Sequence, residues 1–195
     1  MPSEPATSEQ TEMDEGIIRR CLSGETEAFE AIVEKYQSSL LALAIQLLRD
    51  REEARDAVQD SLVQVYMHLN RFIMGRNFRT WIHSITYKRC LDRIRKRKTF
   101  QKYLRSPRIN TEDLFTHSTE GCGPGLEIWS SRLQKLNTKE RLSLYLTISE
   151  GYSVKEIAEI ISCTESTVRV HVHRAKNKLR SSMRGEKLCA NSLSF

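Results

Sequence analysis

A chain of 195 residues with net charge +6, a pI near 9.1 and 39 % apolar residues has room for one large or two small domains, and its positive charge suits a polyanionic partner without establishing one. No uncharged apolar run reaches eighteen residues and the start carries no basic stretch followed by an apolar core, so membrane insertion and export are excluded and a soluble cytoplasmic protein is expected. Cys21, Cys90, Cys122, Cys163 and Cys189 are odd in number and far apart, which argues against a disulfide framework or a zinc site; no metal or other cofactor is expected.

In chain order, residues 1–13 hold two prolines with Ser, Thr and Glu and read as a disordered tail, with Glu4, Glu9, Glu12, Asp14 and Glu15 forming a purely acidic start. From 14 to 103 the pattern is helical. Phe29, Ile32, Val33, Tyr36, Leu40, Leu43, Ala44 and Leu47 form one long apolar stripe. Asp50 with Glu53 predicts the cap of a second helix whose core side is Ala54, Ala57, Val58, Leu62, Val65, Tyr66 and Leu69. On its polar side Asp56, Gln59 and Asp60 fall at i, i+3, i+4 and share one ridge.

A break at Met74–Asn77 precedes a third helix from about Phe78, with Trp81, Ile82, Ile85, Cys90 and Ile94 apolar. It then turns basic: Lys88, Arg89, Arg93, Arg95, Lys96, Arg97, Lys98, Lys102 and Arg105 stand against the single acid Asp92. Aromatic rings beside cations suit single-stranded nucleic acid, where bases stack and Lys or Arg track phosphates; equally, Phe78 and Trp81 fit a core and the basic run fits a solvated face. Residues 104–125, rich in Pro, Gly, Ser and Thr, read as a flexible linker.

A second helical domain is expected over 126–184, followed by a tail at 185–195. It holds a helix near Leu126–Leu136, another from the cap Asn137 with Glu140 to the stop Gly151, and then SVKEIAEIISCTESTVRVHVHRAKNKLR from Ser153 to Arg180. Ser153 with Glu156 makes a capping box, Val154, Ile157, Ala158 and Ile161 form an apolar face, and Thr164 caps a second helix with Val168, Val172, Ala175 and Leu179 inward. Thr167, Arg169, His171, His173, Arg174, Lys176 and Lys178 are left on the other faces. Ser162 occupies the turn, where positive φ and hence glycine are common. This is the pattern of a helix-turn-helix, whose second helix suits phosphates and major-groove base edges; a solvated helical hairpin is the bland alternative. No strand pattern occurs, so the fold expected is all-α: two small helical domains joined by a flexible linker.

DAVQDSLVQVY at 56–66, RFIMGRNFRTWIHSITYKRCLDRIRKRK at 71–98 and RLQKLNTKERLSLYLTISEGYSVKEIAEIISCTESTVRVHVHRAKNKL at 132–179 together resemble the extracytoplasmic-function (ECF) group of the sigma-70 family of bacterial RNA polymerase sigma factors. The resemblance implies that 14–103 is sigma region 2 and 126–184 sigma region 4, and that the protein, not itself an enzyme, directs core polymerase to promoters. Region 2 would dock on the β′ clamp through Asp56, Gln59 and Asp60. It would melt and hold −10 DNA through the segment 71–97, in which Phe72, Asn77, Phe78, Arg79, Trp81, Lys88, Arg93, Arg95 and Arg97 are the candidates. Region 4 would sit on the β flap and read −35 DNA with Thr167, Arg169, Val170, His173, Arg174 and Lys178. An anti-sigma factor is a further implied partner. Two other readings stay open: a stand-alone helix-turn-helix regulator, and a sigma-like protein that sequesters an anti-sigma factor.

Overall fold

The computed structural model describes residues 8–104 and 135–191, and these are all helix and turn. The first group contains α1 (Ser8–Leu22), α2 (Ala28–Leu48), α3 (Arg51–Met67), a 3-10 turn at Leu69–Arg71 and α4 (Phe78–Leu104). The second contains α5 (Thr138–Ile148), α6 (Val154–Ile160) and α7 (Glu165–Asn191). The expected helix near Leu126–Leu136 and the linker at 104–125 fall almost entirely outside the described residues.

The polar residues that start the helices do so through side-chain caps. Asp50 accepts from the Glu53 amide at 2.8 Å. Asn77, directly ahead of α4, accepts from the Thr80 amide at 3.1 Å. Asn137/Glu140 and Ser153/Glu156 are both complete capping boxes, each satisfying two amides that a helix start leaves bare. Ser162 turns the chain between α6 and α7 with φ 53°, the left-handed geometry anticipated for that position. Arg49 does the same at the α2–α3 corner with φ 59°.

Two expectations are corrected. Helix α1 begins at Ser8, inside the stretch read as disordered, because Asp14 and Ile18 are buried against α2: Asp14 accepts hydrogen bonds from Tyr36 Oη and Lys35 Nζ, both at 2.5 Å. At the other end, the backbone of α7 stays helical to Asn191, through most of what was expected to be a tail.

The two helical groups, expected as two small domains, pack on each other. Leu142, Leu146, Tyr152, Ile157, Ile160 and Val168 belong to the same buried cluster as Ile32, Leu40, Leu43, Phe78 and Ile82. The contact runs chiefly between α4 and α6 and between α2 and α5. At its centre His83 is fully buried, donating from Nδ1 to the Arg79 carbonyl at 2.8 Å, with its ring 5.5 Å from that of Tyr152. Arg141, 5 % exposed, reaches across from α5 to the Gln46 carbonyl at the end of α2, at 2.5 and 3.2 Å. Among the described residues no helix is long and apolar enough to cross a membrane, and no cluster of His, Cys, Asp and Glu is arranged to hold a metal ion.

Candidate nucleic-acid interface

Helix α3 buries Ala54, Ala57, Val58, Leu62 and Val65 and turns Asp56, Gln59 and Asp60 to solvent as one ridge. The ridge continues in Val63 and Met67, 57 % and 64 % exposed, which the sequence reading did not single out. Spacing was the available signal, since Val63 lies at i+7 from Asp56 and i+4 from Gln59, and Met67 at i+7 from Asp60, all on one face. Tyr66, assigned to the core from sequence, is 44 % exposed and packs edge-on against Phe29 at 5.1 Å.

The basic helix α4 divides its cations between two neighbours. Arg93 binds Asp60 at 2.6 Å and lies 3.8 Å from Asp56, and Arg97 pairs with Glu53 at 3.2 Å. These two of the expected −10 contacts are thus committed to the α3 face. Lys88 is exposed, and Arg95, exposed as well, pairs among the described residues with Asp92 one turn away at 3.2 Å, a contact worth little against solvent.

Of the aromatic candidates, Phe78 is 1 % and Phe72 7 % exposed. With Tyr36 and Trp81 they form a cluster of ring pairs 5.1 to 5.7 Å apart, so both phenylalanines are core side chains and neither presents a face to a base in this arrangement. Trp81 is half-buried and lines a cleft of about 740 Å³ together with Arg71, Arg76, Asn77, Thr80 and Ser84. The opposite wall is Lys155, Glu156 and Glu159 of α6.

Two candidates are engaged by the second helical group. Asn77 Nδ2 donates to Glu156 Oε1 at 2.8 Å while its own Oδ1 caps α4. Arg79 pairs with Glu150 at 2.6 Å, and its guanidinium lies 4.3 Å from the centroid of the Tyr152 ring. Glu150 also accepts from Tyr145 Oη at 2.7 Å.

Helix α7 sets Val168 and Ala175 inward against Leu136, Leu144 and the α6 residues and leaves Val170, His173 and Arg174 outward. Arg169 is exposed and pairs with Glu165 one turn back at 2.8 Å. Thr167 is tied into the N-terminal cap, its hydroxyl 2.8 Å from that of Thr164. Lys178 donates to Glu140 at 2.7 Å, a carboxylate only 2 % exposed, so its first duty is to hold α7 on α5. That pairing and the Asn137 amide hold the Glu140 carboxyl below the usual range against the opposing effect of burial. His171 turns toward Lys139 and Glu140, where burial lowers the pKa of its ring and neither nitrogen has a partner among the described residues.

The arrangement is an all-helical pair of domains whose exposed features are an acidic-apolar ridge, a cleft walled by cations and tryptophan, and a helix-turn-helix. Residues 32–100 match sigma-70 region 2, and residues 126–179 match sigma-70 region 4. The chain is 30 % identical over 178 residues to the ECF RNA polymerase sigma factor SigW of Bacillus subtilis, covering 86 % of this chain and 95 % of that protein. It is 28 % identical to the ECF RNA polymerase sigma-E factor of Haemophilus influenzae, covering 86 % and 94 %. Its fold is similar to that of the sigma factor RpoE of Bartonella quintana in complex with the anti-sigma factor NepR, with TM-score 0.67 and 26 % identity over 80 % of this chain and 96 % of that one. A similarity that extensive takes in both helical groups. The chain therefore belongs to the sigma-70 family of RNA polymerase sigma factors, in its ECF group, whose members direct transcription initiation.

Proposed function

We propose that the functions of this sigma factor are distributed over three surfaces. Helix α3 docks on the β′ clamp of core polymerase through Asp56, Gln59 and Asp60, joined by the exposed Val63 and Met67. Segment 71–97 opens and holds −10 DNA, with Trp81 as the ring available for stacking, Lys88 and Arg95 on phosphates, and Asn77 and Arg79 beside the strand. Helix α7 reads −35 DNA through Arg169, Val170, His173 and Arg174, and region 4 rests on the β flap. The protein works in the cytoplasm and performs no bond chemistry of its own, phosphodiester synthesis being the polymerase's. An anti-sigma factor is its expected regulator, a reading supported by the complex that contains the Bartonella relative.

The observation that carries this assignment is the orientation of α7: Val168 and Ala175 are fully buried, while Arg174 and His173 are exposed and make no ion pair among the described residues. A helix that buries one stripe and offers an unpaired arginine on the other is suited to a groove. Run-off transcription with core polymerase and a genomic promoter library tests it. Discrete start sites sharing −35 and −10 elements at a fixed spacing are the expected product. A folded protein that binds core polymerase yet yields no promoter-dependent transcript overturns it.

A further inference from the structure

The turn that precedes α4 is held from outside by a carboxylate of α1. Between Phe72, buried against Phe78 and Trp81, and Asn77, which caps α4, the chain reverses at Ile73–Arg76; the Arg76 amide closes the turn by donating to the Ile73 carbonyl at 3.2 Å. Gly75 stands third in this turn with φ 84°, the left-handed geometry that favours glycine there. A Cβ at Gly75 would meet nothing within 4 Å, so the backbone conformation and not lack of space asks for glycine. The amide of that third residue takes no part in closing the turn and needs a partner of its own. Glu15, 60 residues earlier in the chain, supplies it: the Gly75 N–H donates to Glu15 Oε1 at 2.5 Å. The carboxylate is itself held in place. Its side chain is 14 % exposed, its other oxygen pairs with Arg19 at 3.0 Å, and the preceding residue, Asp14, is fastened to Lys35 and Tyr36 of α2.

We propose that Glu15 is a positioning residue for −10 recognition: by holding the Gly75 amide it fixes the Ile73–Arg76 turn, and with it the side chains that the turn presents to the strand. The inference rests on the assignment of segment 71–97 to −10 DNA and adds to it a residue from outside that segment. Ile73 is 59 % exposed, Arg76 is exposed too, and both line the cleft that Trp81 borders. An apolar side chain and a guanidinium beside a stacking ring select a base best when their places are set before the strand arrives, since a turn that must be ordered on binding weakens the contacts it makes. Glu15 itself touches no DNA in this scheme; its effect passes through the turn. Glutamine at this position keeps an oxygen for the Gly75 amide and loses only the pair with Arg19, whose side chain is exposed and whose contribution is small. Alanine removes the acceptor altogether.

The test uses the full chain with core polymerase and a promoter found by run-off mapping, in wild type, Glu15→Ala, Glu15→Gln and Trp81→Ala, each shown to be folded by circular dichroism. Hydrogen exchange at the Gly75 amide reads the contact itself. The amide should be protected in wild type and exchange at least about tenfold faster in Glu15→Ala, the factor that a charged hydrogen bond is worth. An amide that exchanges freely in wild type overturns the proposal. Permanganate footprinting over a set of −10 base substitutions reads the consequence. Glu15→Ala should open the cognate promoter about tenfold more slowly and flatten the preference at one −10 position, with core-polymerase affinity unchanged, and Glu15→Gln should lie closer to wild type than to alanine in both. A glutamine variant that behaves like alanine overturns the proposal. So does a loss in Glu15→Ala that falls evenly on every −10 sequence and on core binding, which is what a general structural role would give. Trp81→Ala separates this failure from that of the underlying assignment. If it impairs opening while Glu15→Ala does not, the positioning role alone falls; if neither variant changes opening, the assignment of the segment falls and the positioning role with it.

Discussion

Ser162 has φ 53° at the turn between α6 and α7, where a side chain costs about 1 kcal/mol relative to glycine. Its side chain is exposed, so Ser162→Gly removes the strain and little else. The variant should gain about 1 kcal/mol in urea unfolding at constant m-value; an unchanged or lower midpoint would mean that the serine contributes contacts of its own. His83 makes the opposite kind of prediction. Burial lowers its pKa to about 4, and the groups around it are Arg79, Glu150 and the rings of Tyr36 and Tyr152. An unfolded histidine titrates near 6.5, so as pH falls through the interval between about 6.5 and 4 the unfolded chain takes the proton first. Stability is whole above that interval and declines through it, by roughly 3 kcal/mol at most. Urea midpoints at pH 7, 6, 5 and 4.5 should show this slope in wild type and a flatter one in His83→Phe. At this scale the caps were legible, since Asn137/Glu140 and Ser153/Glu156 act within four residues of chain. The burial of Arg141 and His83 was not, because a polar residue's partner from a distant element leaves no local mark.

Between elements the informative pair is α3 with α4. Arg93 and Arg95 are two residues apart, and the helical turn sends them different ways: Arg93 to the Asp56/Asp60 ridge of α3, Arg95 to Asp92 on its own helix and to solvent. Arg93→Ala should therefore weaken core-polymerase binding by releasing Asp60 from its set position, with little change in the salt dependence of promoter binding. Arg95→Ala should leave core binding intact and reduce that salt dependence by roughly one unit of log slope. Equal behaviour of the two variants in both assays would refute the division. On α7, Arg174 has no ion-pair partner among the described residues while Arg169 is held by Glu165. Arg174→Ala should erase the preference at one −35 base pair, worth about 1–3 kcal/mol of discrimination. A base-substitution scan that loses affinity evenly at every position makes Arg174 a phosphate contact instead. The stripes of α2, α6 and α7 were readable because their period is that of a helix and one face is plainly apolar. The start of α1 was not, because Ser8, Glu9 and Gln10 resemble a tail in composition, and the helix is secured further on, by Asp14 and Ile18.

Across the whole molecule, apolar periodicity told which faces are covered but not what covers them. A separate region 2 and region 4 on a tether satisfied the pattern as well as the packed arrangement does, since the linker composition says only that the chain can reach. The shared core makes a testable difference. Scanning calorimetry of the free chain should give one cooperative transition, and Tyr152→Ser, which removes the ring packed on Arg79 and His83, should split it or lower its calorimetric-to-van't Hoff agreement. Two transitions in wild type would mean that the groups unfold independently. Arg141 bears on how readily such a molecule changes state. Its guanidinium sits on a carbonyl at the C-terminal end of α2, where the helix dipole is negative, and burial with Arg49 nearby lowers its pKa to about 10. When the groups part, water takes over the Gln46 carbonyl and hydrates a cation that burial had penalised, so this bond resists separation far less than its length suggests. A partner that prefers the open form by about 5.5 kcal/mol converts a population 1:99 open into 99:1, and every contact water can replace without loss brings the equilibrium closer to that reach.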